Sequence, residues 1–248
     1  MAEANITVII KRNYEEVSAE AFRYMKEIVE NKKDAILGLA TGSTPIGLYK
    51  KMIEDHKNNG TSYKDIKTVN LDEYVGLGAE SDQSYVYFMH DNLFDHIDIN
   101  ESNVNLPNGK AEDMDKECER YTALLNDMRQ DVQLLGIGAN GHIGFNEPGT
   151  PFDSTTNIVK LKEKTRMDNA RFFDGGIDEV PTHAITMGIK NVMNAKSILL
   201  IANGENKADA IKAMLEGEVS EECPASILQT HPNVVVIIDD AAASKLTK

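Results

Sequence analysis

The sequence predicts an α/β fold: a Rossmann-like, doubly wound and mostly parallel sheet flanked by helices, with a lid segment. Three observations carry this. Short apolar, β-branched runs recur at residues 6–10, 35–40, 66–71, 132–137, 197–202 and 234–238. Most are apolar at nearly every position, as in parallel strands covered on both faces. Segments with helical apolar spacing lie between them.

In chain order, residues 13–30 follow the first run and place Val17, Ala21, Tyr24, Met25 and Ile28 at helical spacing. The second run ends in Ala40-Thr41-Gly42-Ser43-Thr44-Pro45, where Thr44 reads as a helix N-cap and Pro45 as the first helical residue. The third ends in Asn70-Leu71-Asp72-Glu73-Tyr74, with adjacent carboxylates where a strand runs out. Residues 112–129 carry Met114, Cys118, Tyr121, Leu125 and Met128 on one face. The fourth run enters the glycine-rich stretch Leu134 to Gly149, LLGIGANGHIGFNEPG. Residues 138–181 are rich in Gly, Pro, Asn and Thr and poor in helix or strand signals, so long functional loops are expected there, with 166–181 as the lid. Ala208, Ile211 and Leu215 mark a last amphipathic helix over 206–215. No repeat or low-complexity linker divides the chain, so one domain is expected over 1–248.

Composition narrows the function. Hydrophobic residues make up 41% and charged residues 27%, as in ordinary soluble proteins. The net charge of −14, with no basic stretch, argues against nucleic acid as a partner. An anionic ligand then needs local cations and backbone N–H groups to hold it against the overall field. Of the two cysteines, Cys118 falls on a core stripe and Cys223 precedes Pro224 near a helix start; no disulfide is expected. No secretory signal opens the chain, and no apolar run approaches the ~20 residues that cross a bilayer. A cytoplasmic protein without membrane contact is the expectation.

In open α/β sheets ligands bind beyond the carboxyl ends of strands, so the strand ends hold the candidate chemistry. The Thr41, Gly42, Ser43, Thr44 turn offers hydroxyls and helix-start N–H groups that suit a phosphate, or is simply a well-capped turn. It lacks the Gly-Lys-Ser/Thr of a Walker A loop. Asp72 and Glu73 point to opposite faces, so at most one enters a given pocket, as a general base or as part of a solvated acidic loop. Residues 136–141 formally match GxGxxG, but no amphipathic helix follows, which excludes a dinucleotide loop. His142 in that loop suits proton transfer near neutral pH, with Glu147 as a carboxylate to orient it, or it is structural. His56, His90, His96, His183 and His231 show no metal-ligand spacing, and no serine sits in a GxSxG elbow.

Taken together, ATGSTP, NLDEYVGL and GIGANGHIGFNEPG resemble the glucosamine-6-phosphate deaminase family, in order and spacing across nearly the whole chain. Asn169-Ala170-Arg171-Phe172-Phe173 and Gly204-Glu205-Asn206-Lys207-Ala208 are similar to it as well. The GHIxFNEP form distinguishes these segments from the related 6-phosphogluconolactonases. The resemblance implies conversion of D-glucosamine 6-phosphate and water to D-fructose 6-phosphate and ammonia, without metal or cofactor. It implies ring opening by His142 with Glu147 as its orienting partner, and C2-to-C1 proton transfer by Asp72. It implies substrate phosphate on Thr41, Gly42, Ser43 and Thr44, with Arg171 and Lys207 supplying charge.

The chain departs from the family pattern in two places. Some members carry aspartate where Asn140 stands; asparagine can orient His142 by hydrogen bonding but carries no charge. Allosteric hexameric members use basic and hydroxyl residues shortly after the catalytic loop and a longer C-terminal tail. Here residues 150–159, TPFDSTTNIV, contain no cation and the chain ends at Lys248, so no effector activation and a monomer or small homo-oligomer are expected. The competing readings are a 6-phosphogluconolactonase or related isomerase, and a non-catalytic sugar-phosphate sensor. The chain has no room for the DNA-binding helix-turn-helix that often accompanies such a sensor.

Overall fold

The computed structural model describes residues 4–170 and 173–247. The first elements are β1 (Ile6–Lys11), α1 (Tyr14–Asn31), β2 (Ile36–Leu39), α2 (Ile46–Asn59), β3 (Lys67–Asn70), β4 (Asp72–Tyr74) and α3 (Tyr85–Asn92). Next come β5 (Val104–Asn105), α4 (Met114–Asp127), β6 (Val132–Leu135), β7 (Asn157–Lys160) and α5 (Glu163–Asn169). The last are β8 (His183–Thr186), α6 (Ile189–Met193), β9 (Ile198–Ala202), α7 (Ala208–Glu216) and β10 (Val234–Asp239).

A seven-stranded sheet runs in the order β1-β10-β9-β6-β2-β3-β5, and every neighbouring pair is parallel. Its inner strands are sealed: all five residues of β9 and all six of β10 except the terminal Asp239 are buried and apolar. Each such Val, Leu or Ile contributes ~1.5–3 kcal/mol by leaving water. Helices α1 and α4 form where the sequence gives both a capped start and an apolar face. Asn13 caps α1 by accepting the Glu16 N–H, and the helix buries Val17, Ala21, Met25 and Val29. Asp113 caps α4 by accepting the Lys116 N–H, and Cys118, Tyr121 and Leu125 face the core. Both cysteines are free thiols. Among the described residues no helix is long and apolar enough to cross a membrane.

A second, three-stranded sheet in the order β4-β8-β7 is antiparallel and was not foreseen. It corrects the expectation for 138–181. That region is not all loop, because β7 forms there by pairing Asn157–Lys160 with β8, and α5 follows. Asp72-Glu73-Tyr74 is likewise not a strand end but a strand of its own, buried at all three positions. The start of α2 also shifts. Pro45 precedes the first helical residue, Ile46, and no side chain caps that end. The Thr44 hydroxyl instead reaches Asn203 Oδ1 at 3.5 Å, away from the helix start.

Candidate active site

Strand order places the site. From β2 the chain steps outward through β3 to β5, then returns to β6 beside β2 and steps the other way through β9. The carboxyl ends of β2 and β6 therefore flank a topological switch point, where α/β sheets leave a crevice. A cavity of about 670 Å³ occupies it. The residues after β2 (Thr41, Gly42, Ser43, Thr44), Asp72 from β4, His142 from the loop after β6, and Lys207 before α7 all line it. Asn140 and Glu147 stand beside His142 (below). Arg171 lies outside the described residues.

Asp72 is 7% exposed and faces this cavity. Burial, with the negative Glu73 as a second cause, pushes its carboxyl up to about 8. The backbone opposite it must stay thin. Gly144 has φ of 57°, and a Cβ there would come 3.0 Å from Thr186 Oγ1 and 3.7 Å from Asp72 Oδ2. Glu73 points the other way, as alternation along a strand requires. Its carboxylate accepts the N–H groups of Tyr74, Tyr85 and Val86 at 2.8, 2.9 and 2.9 Å. Burial still outweighs those bonds and pushes it up to about 7.

The loop after β6 carries a chain of polar contacts. Asn140 Nδ2 donates to Glu147 Oε2 at 2.7 Å, which turns its Oδ1 toward His142 Nδ1, also at 2.7 Å. An amide oxygen accepts only, so His142 donates to it from Nδ1. Glu147 Oε1 lies 3.5 Å from His142 Nδ1. Sequence order suggested Glu147 as the immediate orienting partner; in space Asn140 is the closer one, and Glu147 holds Asn140. Thr165 Oγ1 donates to Glu147 at 3.2 Å, and Lys162 pairs with it at 3.3 Å. Burial raises the Glu147 carboxyl, but His142, Asn140 and Lys162 outweigh it and hold it below the usual range. Gly138 makes room for the imidazole, since a Cβ there would meet the ring at 2.2 Å.

The turn after β2 is pinned from outside. Tyr14 Oη lies 3.1 Å from the Ser43 carbonyl and 3.0 Å from that of Thr44, and accepts the Gly47 N–H at 2.8 Å. Lys207 Nζ donates to the Ile137 carbonyl at 2.8 Å, which ties α7's approach to the end of β6. On the opposite side an aromatic group carries α5. The Tyr74 ring lies 4.7 Å from Tyr85, 6.2 Å from Phe145 and 5.9 Å from Phe173, and its hydroxyl accepts from Asn169 Nδ2 at 2.8 Å. Tyr14, Tyr85, Lys162 and Thr165 were not singled out from the sequence. Tyr14 could have been suspected as the first residue of a capped helix whose start lies near a strand end; the others carry no local signal.

Residues 11–237 match the family described as glucosamine-6-phosphate isomerases/6-phosphogluconolactonase. The chain belongs to this family. Among its similar members, a glucosamine-6-phosphate deaminase of Bacillus velezensis is 50% identical over 239 residues, covering 96% of this chain and 99% of that one. One of Clostridium perfringens is 49% identical over 240 residues, covering 96% and 99%. A solved monomeric glucosamine-6-phosphate deaminase superposes with a TM-score of 0.94 at 48% identity, covering 96% of this chain and 99% of that one. The 6-phosphogluconolactonase of Trypanosoma brucei shares the fold, with a TM-score of 0.79 at 20% identity. Within the family, then, identity of sequence lies with the deaminases and the lactonase likeness is one of fold. Among the described residues no group of three or more His, Cys, Asp or Glu is placed to hold a metal ion.

Proposed function

We propose that this chain is a glucosamine-6-phosphate deaminase, converting D-glucosamine 6-phosphate and water to D-fructose 6-phosphate and ammonia in amino-sugar catabolism. The observation that carries the reading is one cavity that holds a buried carboxylate, Asp72, and a histidine oriented by an amide and a second carboxylate. A proton-transfer isomerisation needs both. Near-complete relatives at about half identity bear that name.

The phosphate is held by the Thr41, Gly42, Ser43, Thr44 turn with Lys207 and Arg171. His142 moves a proton between the anomeric hydroxyl and the ring oxygen, and the ring opens to the aldehyde. Asn140 fixes its tautomer and Glu147 fixes Asn140. Asp72 then removes the C2 proton and returns it to C1 through an enolamine, a short path for one carboxylate. The resulting C2 imine adds water and releases ammonia, leaving the ketose. Residues 1–248 act as one catalytic unit, monomeric and without an effector, in the cytoplasm where phosphorylated sugars reside. Ammonia and fructose 6-phosphate formed in equal amounts from glucosamine 6-phosphate test this. Product only from 6-phosphogluconolactone would sink it in favour of the lactonase reading.

A further inference from the structure

The chemistry above uses Asp72 and leaves its neighbour idle. We propose that Glu73 is a positioning residue for the deamination: its buried carboxylate clamps the first turn of α3 to the strand that bears Asp72, and so sets the pocket wall against the base. The proposal rests on the deaminase reading.

The geometry is specific. A helix start leaves its first N–H groups without partners inside the helix. In α3 the Tyr85 and Val86 N–H groups go to the two oxygens of Glu73, at 2.9 Å each. The Tyr87 N–H goes to the Ser84 hydroxyl at 3.2 Å, as an ordinary N-cap. Tyr85, Tyr87 and Phe88 from this helix line the cavity that Asp72 faces. One peptide link, Asp72–Glu73, therefore joins the base to the wall that would flank the sugar. Register adds stiffness, because β4 is locked to β8 through Asp72↔Thr186 and Glu73↔Ile185.

A charge is not needed to cap a helix, and burying one is unfavourable. Glu73 is 1% exposed all the same. Its second effect falls on Asp72, whose ionisation a negative neighbour opposes, so that the ionised base binds a proton more strongly. The titratable groups near Asp72 are Glu73 and Tyr74 on β4, Tyr85 on α3 and Tyr121 on α4, with Asp82, Tyr87, Asp91, His142 and Lys207 in the same cavity lining. Burial keeps Tyr74, Tyr85 and Tyr121 neutral across the working range, so among the groups packed behind Asp72 Glu73 is the one whose charge bears on it.

Three variants separate clamp, charge and simple capping: Glu73→Gln, Glu73→Asp and Ser84→Ala. Ammonia release is followed from pH 5.5 to 9 beside the wild type, with circular dichroism to check the fold. In Glu73→Gln, kcat falls about 10- to 100-fold with a much smaller change in KM, as expected for misplaced reacting groups. Its acid limb moves toward lower pH by about one unit. Ser84→Ala loosens the same turn and leaves the limb in place. Glu73→Asp keeps the charge, so its limb returns to the wild-type position while kcat stays low, the shorter chain being unable to span both N–H groups. Wild-type kcat in Glu73→Asp overturns the clamp. A Glu73→Gln limb that coincides with the wild type overturns the charge effect. Should the wild type release no ammonia, the functional reading fails by itself; ¹³C NMR titration of the Asp72 carboxyl still tests Glu73, and an unchanged midpoint in Glu73→Gln overturns it.

Discussion

Asp72 must ionise to act as a base, yet its surroundings hold its proton on. With burial pushing the carboxyl to about 8, the ligand-free site is mostly protonated at neutral pH. The rate at low substrate should therefore climb with pH toward that value. Asp72→Asn is expected to lower kcat about 10²- to 10⁴-fold, the usual span for a general base. The same variant should stabilise the fold. The folded-state pKa lies above the unfolded value near ~3.9, so the folded state holds the proton more tightly. Stability from this group is complete below about pH 4 and is lost as pH rises toward 8. Asp72→Asn removes that loss, so its gain in Tm should grow from pH 5 to pH 8, by ~2–4 °C per kcal/mol for a chain of this size. Equal gains at both pH values would contradict the burial account. Asn140 makes a different prediction. It orients His142 through an amide oxygen at 2.7 Å, and an aspartate there would add a charge beside the imidazole. Asn140→Asp should move the pH profile of ring opening, read by anomeric exchange. An unaltered pH–rate curve removes Asn140 from the relay.

At the scale of elements, the turn after β2 shows why a site is more than its own residues. That the run Thr41 to Thr44 lines a pocket was legible from its place at the carboxyl end of a strand. Its rigidity was not, since it comes from Tyr14, 29 residues from Ser43 in the chain. Tyr14→Phe removes the acceptor for the Gly47 N–H and the donor to the turn carbonyls. A hydrogen bond contributes ~0.5–1.5 kcal/mol, so KM should rise roughly 2- to 12-fold with kcat little changed. A larger fall in kcat than rise in KM would count against a phosphate role for the turn. The same logic sorts the rest of the fold. Six of the seven parallel strands were read within a residue or two, because most are covered on both faces and write uninterrupted apolar runs, as in Val234 to Ile238; the two-residue edge strand β5, Val104–Asn105, is too short to write one and was missed. The small antiparallel sheet was missed because β4 is Asp-Glu-Tyr and β7 is Asn-Ile-Val-Lys. The Asp72 and Glu73 side chains of β4 serve the pocket and α3, and pairing with β8 rather than pattern makes β4 and β7 strands. Lys162 and Thr165 reach Glu147 only through that sheet and α5, and nothing in their local sequence announces it.

For the whole molecule, the question is how a chain of net charge −14 accepts a dianionic sugar phosphate at one place and declines it elsewhere. In the proposed function the first half is met by Lys207, Arg171 and the Thr41 to Thr44 turn; Lys207 and the turn line the cavity. A second concavity, of about 470 Å³, lies just after the catalytic loop. Pro148, Thr150, Pro151, Ser154 and Asn157 are in its lining, which contains no charged residue. A phosphate there would meet neutral groups inside a negative field, which is unfavourable for a dianion. This is the stretch in which allosteric relatives are expected to carry cations. The rate should therefore depend hyperbolically on glucosamine 6-phosphate, and N-acetylglucosamine 6-phosphate should leave the curve unchanged except for competition at the active site. Light scattering at assay concentration should give one chain per particle if the proposed function, monomeric and without an effector, holds. A sigmoidal curve that the acetylated sugar phosphate renders hyperbolic would show that an effector is bound despite the missing cations. In that case Ser154 and Asn157 are the polar side chains of the concavity to replace first, because loss of activation in those variants would place the effector there and its persistence would place it elsewhere.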